Sequence, residues 1–206
     1  MTESVLNRLK RVTDYWLNKL RNELSPELTY HSVDHVLDVM LCVEHIGHQE
    51  LLQDEDLALV LVAALFHDSG FLLSRTNHEL TSCELVRSQL PEFGFNEAEI
   101  EKICAMIMAT KIPQSPSSKL AEILCDADLN YLGTEDYFGP SRRLFSELKI
   151  ANPNITELDW LDLQINFLQD HRYFTDFSKA NREPRKLLHL HELLNERKRL
   201  LEEKAS

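Results

Sequence analysis

Apolar residues recur three or four positions apart along most of the chain, which is the spacing of an α-helix with one buried face. In residues 4–24 this pattern predicts an amphipathic helix that ends before Ser25 and Pro26, because proline interrupts a helix. Residues 184–204 carry a second, leucine-rich amphipathic pattern. The alternation typical of strands is almost absent, so the pattern predicts an all-α fold with flanking N- and C-terminal helices.

Further segments between these two ends have the same helical character. Residues 54–56 supply an acidic helix start, and Asn96 followed by Glu99 predicts a capping box. The segment from 57 to 66 is apolar nearly all round, which is typical of a buried central helix. The predicted helices of this middle region cover residues 31–46, 54–66, 78–90, 96–110, 120–128, 137–148 and 160–167.

The central apolar helix leads directly into two polar residues, His67 and Asp68, and Gly70 follows shortly after. Buried polar groups need partners, and a divalent cation is one of the few partners that satisfies an imidazole and a carboxylate together. His35 and Asp126 also offer ligand atoms in helical, largely apolar surroundings. The sequence therefore predicts a metal site built from two imidazoles and two carboxylates.

This mixed nitrogen and oxygen ligand set determines which ions we expect. It suits Mn, Fe, Co, Ni or Zn, and it suits Mg less well because of the imidazoles. An ion with open coordination positions would lower the pKa of a bound water and polarise a phosphate. His31 lies four positions before His35, so on a helix both rings would lie on one face, and the alternative is a partly polar residue at a helix start.

Composition and charge limit the classes of function. The chain has 206 residues and a formal net charge of -12, which argues against general nucleic-acid binding through a basic surface. The N-terminus lacks the pattern of a signal peptide, and no apolar run approaches the length of a membrane span. We therefore expect a soluble cytoplasmic protein. The four cysteines are widely spaced and form no C-x-x-C pair, so we expect reduced, buried side chains.

One locally basic stretch lies near the C-terminus of this acidic chain. A basic lip over a metal site would attract a phosphate, and the alternative is an ordinary solvated helix surface. The leucine-rich last helix is consistent with a homodimer, although its leucine spacing is too irregular for a coiled coil. The residues of the basic stretch are His171, Arg172, Lys179, Arg182, Arg185 and Lys186.

An early histidine, a His-Asp doublet on a central helix and a distal aspartate follow one another in this chain. In this arrangement the sequence resembles the HD-domain metal-dependent phosphohydrolases, and most closely the bacterial group of predicted HD-superfamily phosphohydrolases. The resemblance covers residues 6–177 and implies a single HD-type domain over 1–206, with a metal-binding core at about 28–135 and a C-terminal helical extension at about 136–206. The segments that carry it are YHSVDHV (30–36), LFHDSG (65–70) and CDADL (125–129).

The resemblance also implies which residues hold the metal. His35, His67, Asp68 and Asp126 would be its ligands. Asp128 lies two residues beyond Asp126, so on a helix it would point away, and we expect it to cap the helix or to form a salt bridge.

The resemblance further implies catalytic roles for His31 and Asp68. His31 precedes the metal-binding His35 by one turn, as does the proton-donating histidine of the cyclic-nucleotide phosphodiesterases, which share this fold. In that role His31 would protonate a leaving oxygen. The competing interpretation is that it supports a metal ligand.

The chain departs from the two-metal HD enzymes, which usually add two histidines between the doublet and the final aspartate. His78 stands where the first would be, and Thr110 takes the second place. A hydroxyl is a poor substitute for imidazole, so one ion is favoured over two. The residues predicted to contact the substrate, some through positive charge, are His78, Lys111, Arg172 and Lys179.

We expect a metal-dependent phosphohydrolase that cleaves a phosphomonoester or phosphodiester bond in a small molecule, with a nucleotide as the expected class. Phe71 and Leu72 stand where bacterial deoxynucleotidases of this fold carry an acidic catalytic residue, which argues against that particular activity. The alternative is a non-catalytic metal- and nucleotide-binding regulatory module, motivated by the missing second histidine. An iron-dependent oxygenase is a third hypothesis, and Thr110 argues against its histidine-rich two-iron site.

Overall fold

Helices account for all the regular secondary structure of the computed structural model, which describes residues 4–205 and has no strand in that range. The all-α prediction is confirmed. None of the described helices is long and apolar enough to cross a membrane. Short 3-10 turns lie at Ser69–Leu72, Leu90–Phe93 and Asn130–Gly133. The α-helices are α1 (Val5–Glu23), α2 (Val33–Gln49), α3 (Asp54–Phe66), α4 (His78–Gln89), α5 (Glu97–Ala109), α6 (Lys119–Asp128), α7 (Phe138–Ala151), α8 (Glu157–Asp170), α9 (Asp176–Asn181) and α10 (Glu183–Ala205).

Side-chain caps fix several of the helix starts. The Asn96 side chain accepts a hydrogen bond from the backbone N–H of Glu99, and the Glu99 carboxylate accepts one from the N–H of Asn96. The predicted capping box of α5 is therefore confirmed. Ser32 caps α2 by accepting from the N–H of His35. The helix consequently begins after this cap, and the prediction that it includes His31 is wrong.

The centre of the molecule is α3, which packs against α1, α2, α5 and α6. Leu65 and Phe66, at its end, are fully buried. Trp16 of α1 stacks on Phe66 with ring centroids 4.2 Å apart, and its Nε1 donates to Ser69 Oγ at 2.7 Å. Because Ser69 directly follows the His-Asp doublet, α1 helps to hold the doublet in place.

Gly70 allows the turn after the doublet to lie against the start of α4. A Cβ atom at this position would lie 2.0 Å from the backbone oxygen of His78, so only glycine fits. Ser82 of α4 completes the contact, because its Oγ donates to the carbonyl oxygen of His67 and accepts from the N–H of Gly70. The backbone around the doublet is thus fixed from two sides.

The C-terminal helices form a second, smaller hydrophobic cluster that includes Leu132, Leu161 and Leu168. Buried carboxylates join the two parts of the molecule. Asp126 of α6 accepts from backbone N–H groups just before α9, and Glu147 of α7 accepts from backbone N–H groups just before α2. All four cysteines are free, as predicted, and three of them are buried.

Candidate metal centre and the adjoining cavity

Four side chains from three helical segments meet at one buried point. His35 lies in the first turn of α2, His67 and Asp68 directly follow α3, and Asp128 is the last residue of α6. His35 Nε2 lies 3.3 Å from His67 Nε2 and 3.3 Å from Asp128 Oδ1. His67 Nε2 lies 3.1 Å from Asp68 Oδ2. His35, His67 and Asp128 form a group that can hold a metal ion, and Asp68 lies in contact with it.

The chemistry of this donor set fits a cation. His67 Nδ1 lies 2.7 Å from the carbonyl oxygen of Ala64, so Nδ1 donates to it and Nε2 is the nitrogen that faces the group. Asp68 Oδ2 is buried and has no hydrogen-bond partner among the described residues. A divalent ion would satisfy this carboxylate oxygen and the imidazole nitrogens next to it together.

Burial and short distances between opposite charges set the electrostatics of this group. Burial disfavours the charged form of His67, but the carboxylates of Asp68 and Asp128 raise its pKa well above the usual value. Burial likewise opposes charge on Asp128, and contacts with the two imidazoles lower its pKa to about 2. The same imidazoles hold the pKa of Asp68 well below its usual value against the effect of burial. Both carboxylates are therefore ionised near neutral pH, as metal ligands must be.

Asp126, the predicted carboxylate ligand, faces away from this group. One of its oxygens accepts from the N–H of Phe174 at 2.9 Å, and the other accepts from the N–H and the hydroxyl of Thr175. Two residues that are two positions apart on a helix point in different directions, so only one of the two aspartates can reach the imidazoles. The structure turns Asp128 to them, and this corrects the prediction of Asp126.

His31 is held by a carboxylate that sequence reasoning missed. Its Nδ1 lies 2.6 Å from Glu147 Oε1, and Glu147 Oε2 accepts from the backbone N–H groups of Tyr30 and His31. Glu147 is buried, which opposes its charge, but the contact with His31 and these amides lower its pKa. The motifs give no signal for Glu147, because it is a single glutamate on an amphipathic helix far along the chain.

His78 faces the other oxygen of Asp68. Its Nε2 lies 3.4 Å from Asp68 Oδ1 and 3.6 Å from Oε1 of the buried Glu79, which the sequence did not single out. Burial disfavours the charged form of His78, but Asp68 raises its pKa. Phe71 stacks between two imidazoles, with its centroid 4.1 Å from that of His31 and 4.3 Å from that of His78.

A cavity of about 410 Å³ lies beside the metal group. His31, Asp68, His78 and Asp128 form part of its wall. Most of the remaining wall is apolar or aromatic, and it comes from the turn after α6 and from α7 and α8. These residues are Leu129, Tyr131, Leu132, Leu144, Leu148, Trp160, Leu163 and Phe167. The region therefore combines a polar group that can hold a metal with an apolar space for a ligand.

Two of the predicted substrate contacts lie at or beside this cavity. His78 lines it, whereas Lys111 is exposed, with its Nζ 3.4 Å from Asn77 Oδ1. Thr110, the neighbour of Lys111, also lines the cavity, but its hydroxyl donates to the carbonyl oxygen of Ile107 at 2.8 Å. The threonine hydroxyl is therefore turned to a carbonyl oxygen of the helix that precedes it.

The other two predicted contacts come from the C-terminal basic stretch. Arg172 lines a neighbouring cavity of about 440 Å³, which shares Ile112 and Phe167 with the first. Lys179 is exposed, lies 3.9 Å from an oxygen of Asp176 and lines neither cavity. The structure does not bring Lys179 to the site, because the helix that carries it turns this residue to solvent.

Comparison with known protein families agrees with this geometry. The sequence model of the HD-domain family matches residues 32–129, a span that includes His35, His67, Asp68 and Asp128. Residues 32–129 are therefore similar to the HD-domain family, in agreement with the resemblance indicated by the motifs. The helices α7 and α8 lie outside the matched residues.

Similar proteins cover most of the chain at low sequence identity. An uncharacterized protein of Clostridium beijerinckii is 27% identical over 157 residues, which is 74% of this chain and 88% of the relative. A crystal structure from Lactobacillus plantarum is 19% identical, covers 100% of both chains and has a TM-score of 0.68. The crystal structure of a predicted HD superfamily hydrolase from an uncultured Thermotogales bacterium is 21% identical, covers 92% of this chain and 91% of the other, and has a TM-score of 0.60. The two structural likenesses show that the chain shares the fold of these two crystal structures.

Proposed function

We propose that this chain is a metal-dependent phosphohydrolase that cleaves a phosphomonoester or phosphodiester bond of a nucleotide. The observation that carries the proposal is the buried group of His35, His67, Asp68 and Asp128, in which Asp68 Oδ2 lacks a hydrogen-bond partner among the described residues. The group borders a cavity of the size that binds small organic ligands. The similarity in fold to a predicted HD superfamily hydrolase supports the same class of activity.

The ion that these four residues would hold is a divalent transition metal, Mn, Fe, Co, Ni or Zn, with Mg less well suited. A bound ion of this kind supplies Lewis acidity, which activates water and polarises a phosphate. One ion is favoured over two, because Thr110 stands where a second histidine would be and its hydroxyl donates to Ile107. His78 then remains available to contact the substrate.

His31 would donate a proton to the leaving oxygen. Glu147 occupies Nδ1 of the ring at 2.6 Å, so Nε2 is the nitrogen from which a proton can be delivered. Asp68 connects the two sides of the site, because Oδ2 faces His67 and Oδ1 faces His78. This carboxylate would therefore orient His78 toward a phosphoryl oxygen while it completes the metal group.

Two cations lie where they can contribute to phosphate binding. Lys111 directly follows Thr110, which lines the cavity, and Arg172 lines the adjoining cavity. Neither charge is buried, so each would attract the substrate and would not determine the site of cleavage. Lys179 is not part of this proposal.

Metal analysis combined with hydrolysis assays tests the proposal. The full chain is loaded in turn with each of the six candidate ions and assayed against a panel of nucleotides and simple phosphate esters. We expect one ion per chain and release of phosphate or of a nucleotide, both lost in His67→Ala and both kept in the exposed control His48→Ala. The absence of both bound metal and turnover would refute the proposal. Metal and nucleotide binding without any product would instead support a regulatory module.

A further inference from the structure

We infer that the cavity selects the organic part of the substrate, which is an uncharged ring system with a polar edge, such as a nucleobase, joined to a single phosphoryl group. The inference rests on the proposed function, because it concerns the substrate of the same site. It is carried by the side chains that α7 and α8 present to the cavity, outside the residues that match the HD-domain family.

One face of each of these two helices lines the cavity. Leu144 and Leu148 are four apart on α7, and Trp160 and Phe167 lie on the corresponding face of α8. The packing of the molecule leaves these four side chains partly accessible. A ring placed against them would bury apolar surface and would stack on aromatic side chains, which favours an aromatic over a hydrophilic ligand.

The charges on the cavity wall disfavour additional phosphate groups. Among the described residues that line it there is no lysine or arginine, whereas Asp68, Glu79 and Asp128 contribute carboxylates. A bound ion would compensate the negative charge of a phosphoryl group that lies at the metal group. A second or third phosphate in this cavity would instead lie beside apolar or negative side chains. The nearest basic lining is Arg172, in the adjoining cavity. The cavity therefore suits an ester with one phosphoryl group.

A hydrogen-bonded trio supplies the polar edge. Gln164 Nε2 donates to Tyr137 Oη and to Ser141 Oγ, each at 2.7 Å, and all three residues line the cavity. Both hydroxyl oxygens accept from the amide, and the two hydroxyls also contact each other, so one hydroxyl proton of the pair remains to be donated to a ligand. Burial raises the pKa of Tyr137 to about 12, so its proton is retained near neutral pH. A plain alkyl group would leave this trio facing hydrocarbon, whereas a heterocycle offers it acceptors.

The polar trio is well separated from the metal group. Tyr30 contacts His35 with ring centroids 4.8 Å apart, Tyr131 contacts Tyr30 at 5.8 Å, and Tyr137 contacts Tyr131 at 6.1 Å. Three successive ring contacts thus connect the two ends. One cavity therefore offers a site for the phosphoryl end of an ester and a different site for the edge of its ring.

A substrate series on the Mn-loaded full chain is the first part of the test. We expect kcat/KM for nucleoside monophosphates to exceed that for the matching triphosphates and for ribose 5-phosphate by about tenfold or more. Equal or faster turnover of triphosphates or of ribose 5-phosphate would overturn the inference while leaving the proposed function intact. No turnover of any ester would refute the proposed function itself, and the binding measurement below then decides the inference.

Binding of nucleosides without phosphate to the metal-free chain gives a readout that does not depend on activity. Trp160 lines the cavity, whereas Trp16 is fully buried against Phe66, so a ligand in the cavity should change the fluorescence of Trp160 alone. We expect a saturable change with at least one nucleoside, no change with ribose, and loss of the change in Trp160→Phe. No saturable binding of any nucleoside, checked by calorimetry, would overturn the inference.

A cavity-filling variant locates the ring. Leu144→Trp places a large side chain in the cavity, and Leu187→Trp is a matched control on the exposed surface of α10. We expect the ratio of kcat/KM for a nucleoside monophosphate to that for acetyl phosphate to fall about tenfold in Leu144→Trp and to stay unchanged in the control. If Leu144→Trp does not fold, Gln164→Met provides the second variant, with the same expected direction. An unchanged ratio in a folded variant would show that the ring binds elsewhere.

Discussion

Glu147 Oε1 lies 2.6 Å from His31 Nδ1, although the two residues are 116 positions apart in the chain. Glu147 belongs to α7, beyond the residues that match the HD-domain family, and His31 lies just before them. The second oxygen of the same carboxylate accepts from the backbone N–H groups of Tyr30 and His31, so the ring and its backbone are fixed together. The C-terminal region therefore positions a candidate catalytic residue as well as lining the cavity.

We expect Glu147→Gln to lower kcat and to change KM little. The amide keeps the size of the side chain but loses the charge that orients the His31 ring, so the loss should be about tenfold to hundredfold, less than the full contribution of a general acid. An ester with a p-nitrophenolate leaving group serves as the control, because its leaving oxygen needs no proton and its turnover should fall less. An equal loss with both kinds of ester would assign Glu147 a purely structural role.

The same substitution should alter the dependence of stability on pH. Burial opposes the charge of Glu147, but His31 and the two backbone amides lower its pKa below the usual 4.5. A lowered carboxyl pKa stabilises the folded state above the unfolded pKa, and this contribution is lost as the pH falls through the folded pKa. In urea unfolding, Glu147→Gln should therefore be less stable than the native chain at pH 7, and the difference should shrink below about pH 4.5. A difference that stays constant down to pH 3 would contradict this assignment.

Substitution of the two aspartates of α6 should have different effects, one on metal binding and the other on stability. Asp128→Asn should abolish retention of the ion, because Asp128 Oδ1 lies within 3.6 Å of both imidazole Nε2 atoms. Asp126→Asn should keep the ion but lower the free energy of unfolding by about 1–3 kcal/mol, since it weakens three hydrogen bonds to Phe174 and Thr175. Metal content and urea unfolding of both variants check this, and metal loss confined to Asp126→Asn would reverse the assignment.

Gly70→Ala should disrupt the backbone of the doublet. The added Cβ atom would lie 2.0 Å from the backbone oxygen of His78, which cannot move without shifting α4, so we expect a loss of about 3 kcal/mol in unfolding free energy. Gly47→Ala is the matched control, because there the Cβ atom meets only the side chains of Leu57 and Leu52 and no backbone atom, and alanine favours the helix. Equal unfolding midpoints for the two variants would show that the turn tolerates a side chain.

The sequence predicted the elements well, because helix periodicity and capping chemistry are local. The capping box at Asn96 and Glu99 and the position of the doublet at the end of α3 followed from neighbouring residues alone. The choice between Asp126 and Asp128 did not, since their spacing shows that they differ in direction but not which one faces the imidazoles. Glu147 could not be found either, because a contact between such distant residues depends on how α7 packs.

The apolar wall of the cavity was not predicted, for a different reason. A basic stretch around Lys179 was a visible charge pattern, and it suggested a phosphate-binding lip. In the structure the walls next to the metal group are instead apolar and come from α7 and α8. Such residues look like ordinary core positions in a sequence, and only their partial exposure in the folded chain reveals a space between them.

The most direct test of the central claim is a crystal structure of the Mn-loaded full chain with anomalous diffraction measured at the manganese edge. We expect one anomalous peak, which marks a manganese ion about 2.0–2.3 Å from ligand atoms of His35, His67, Asp68 and Asp128. No peak at these residues, or a peak bonded to Asp126 in place of Asp128, would contradict the account.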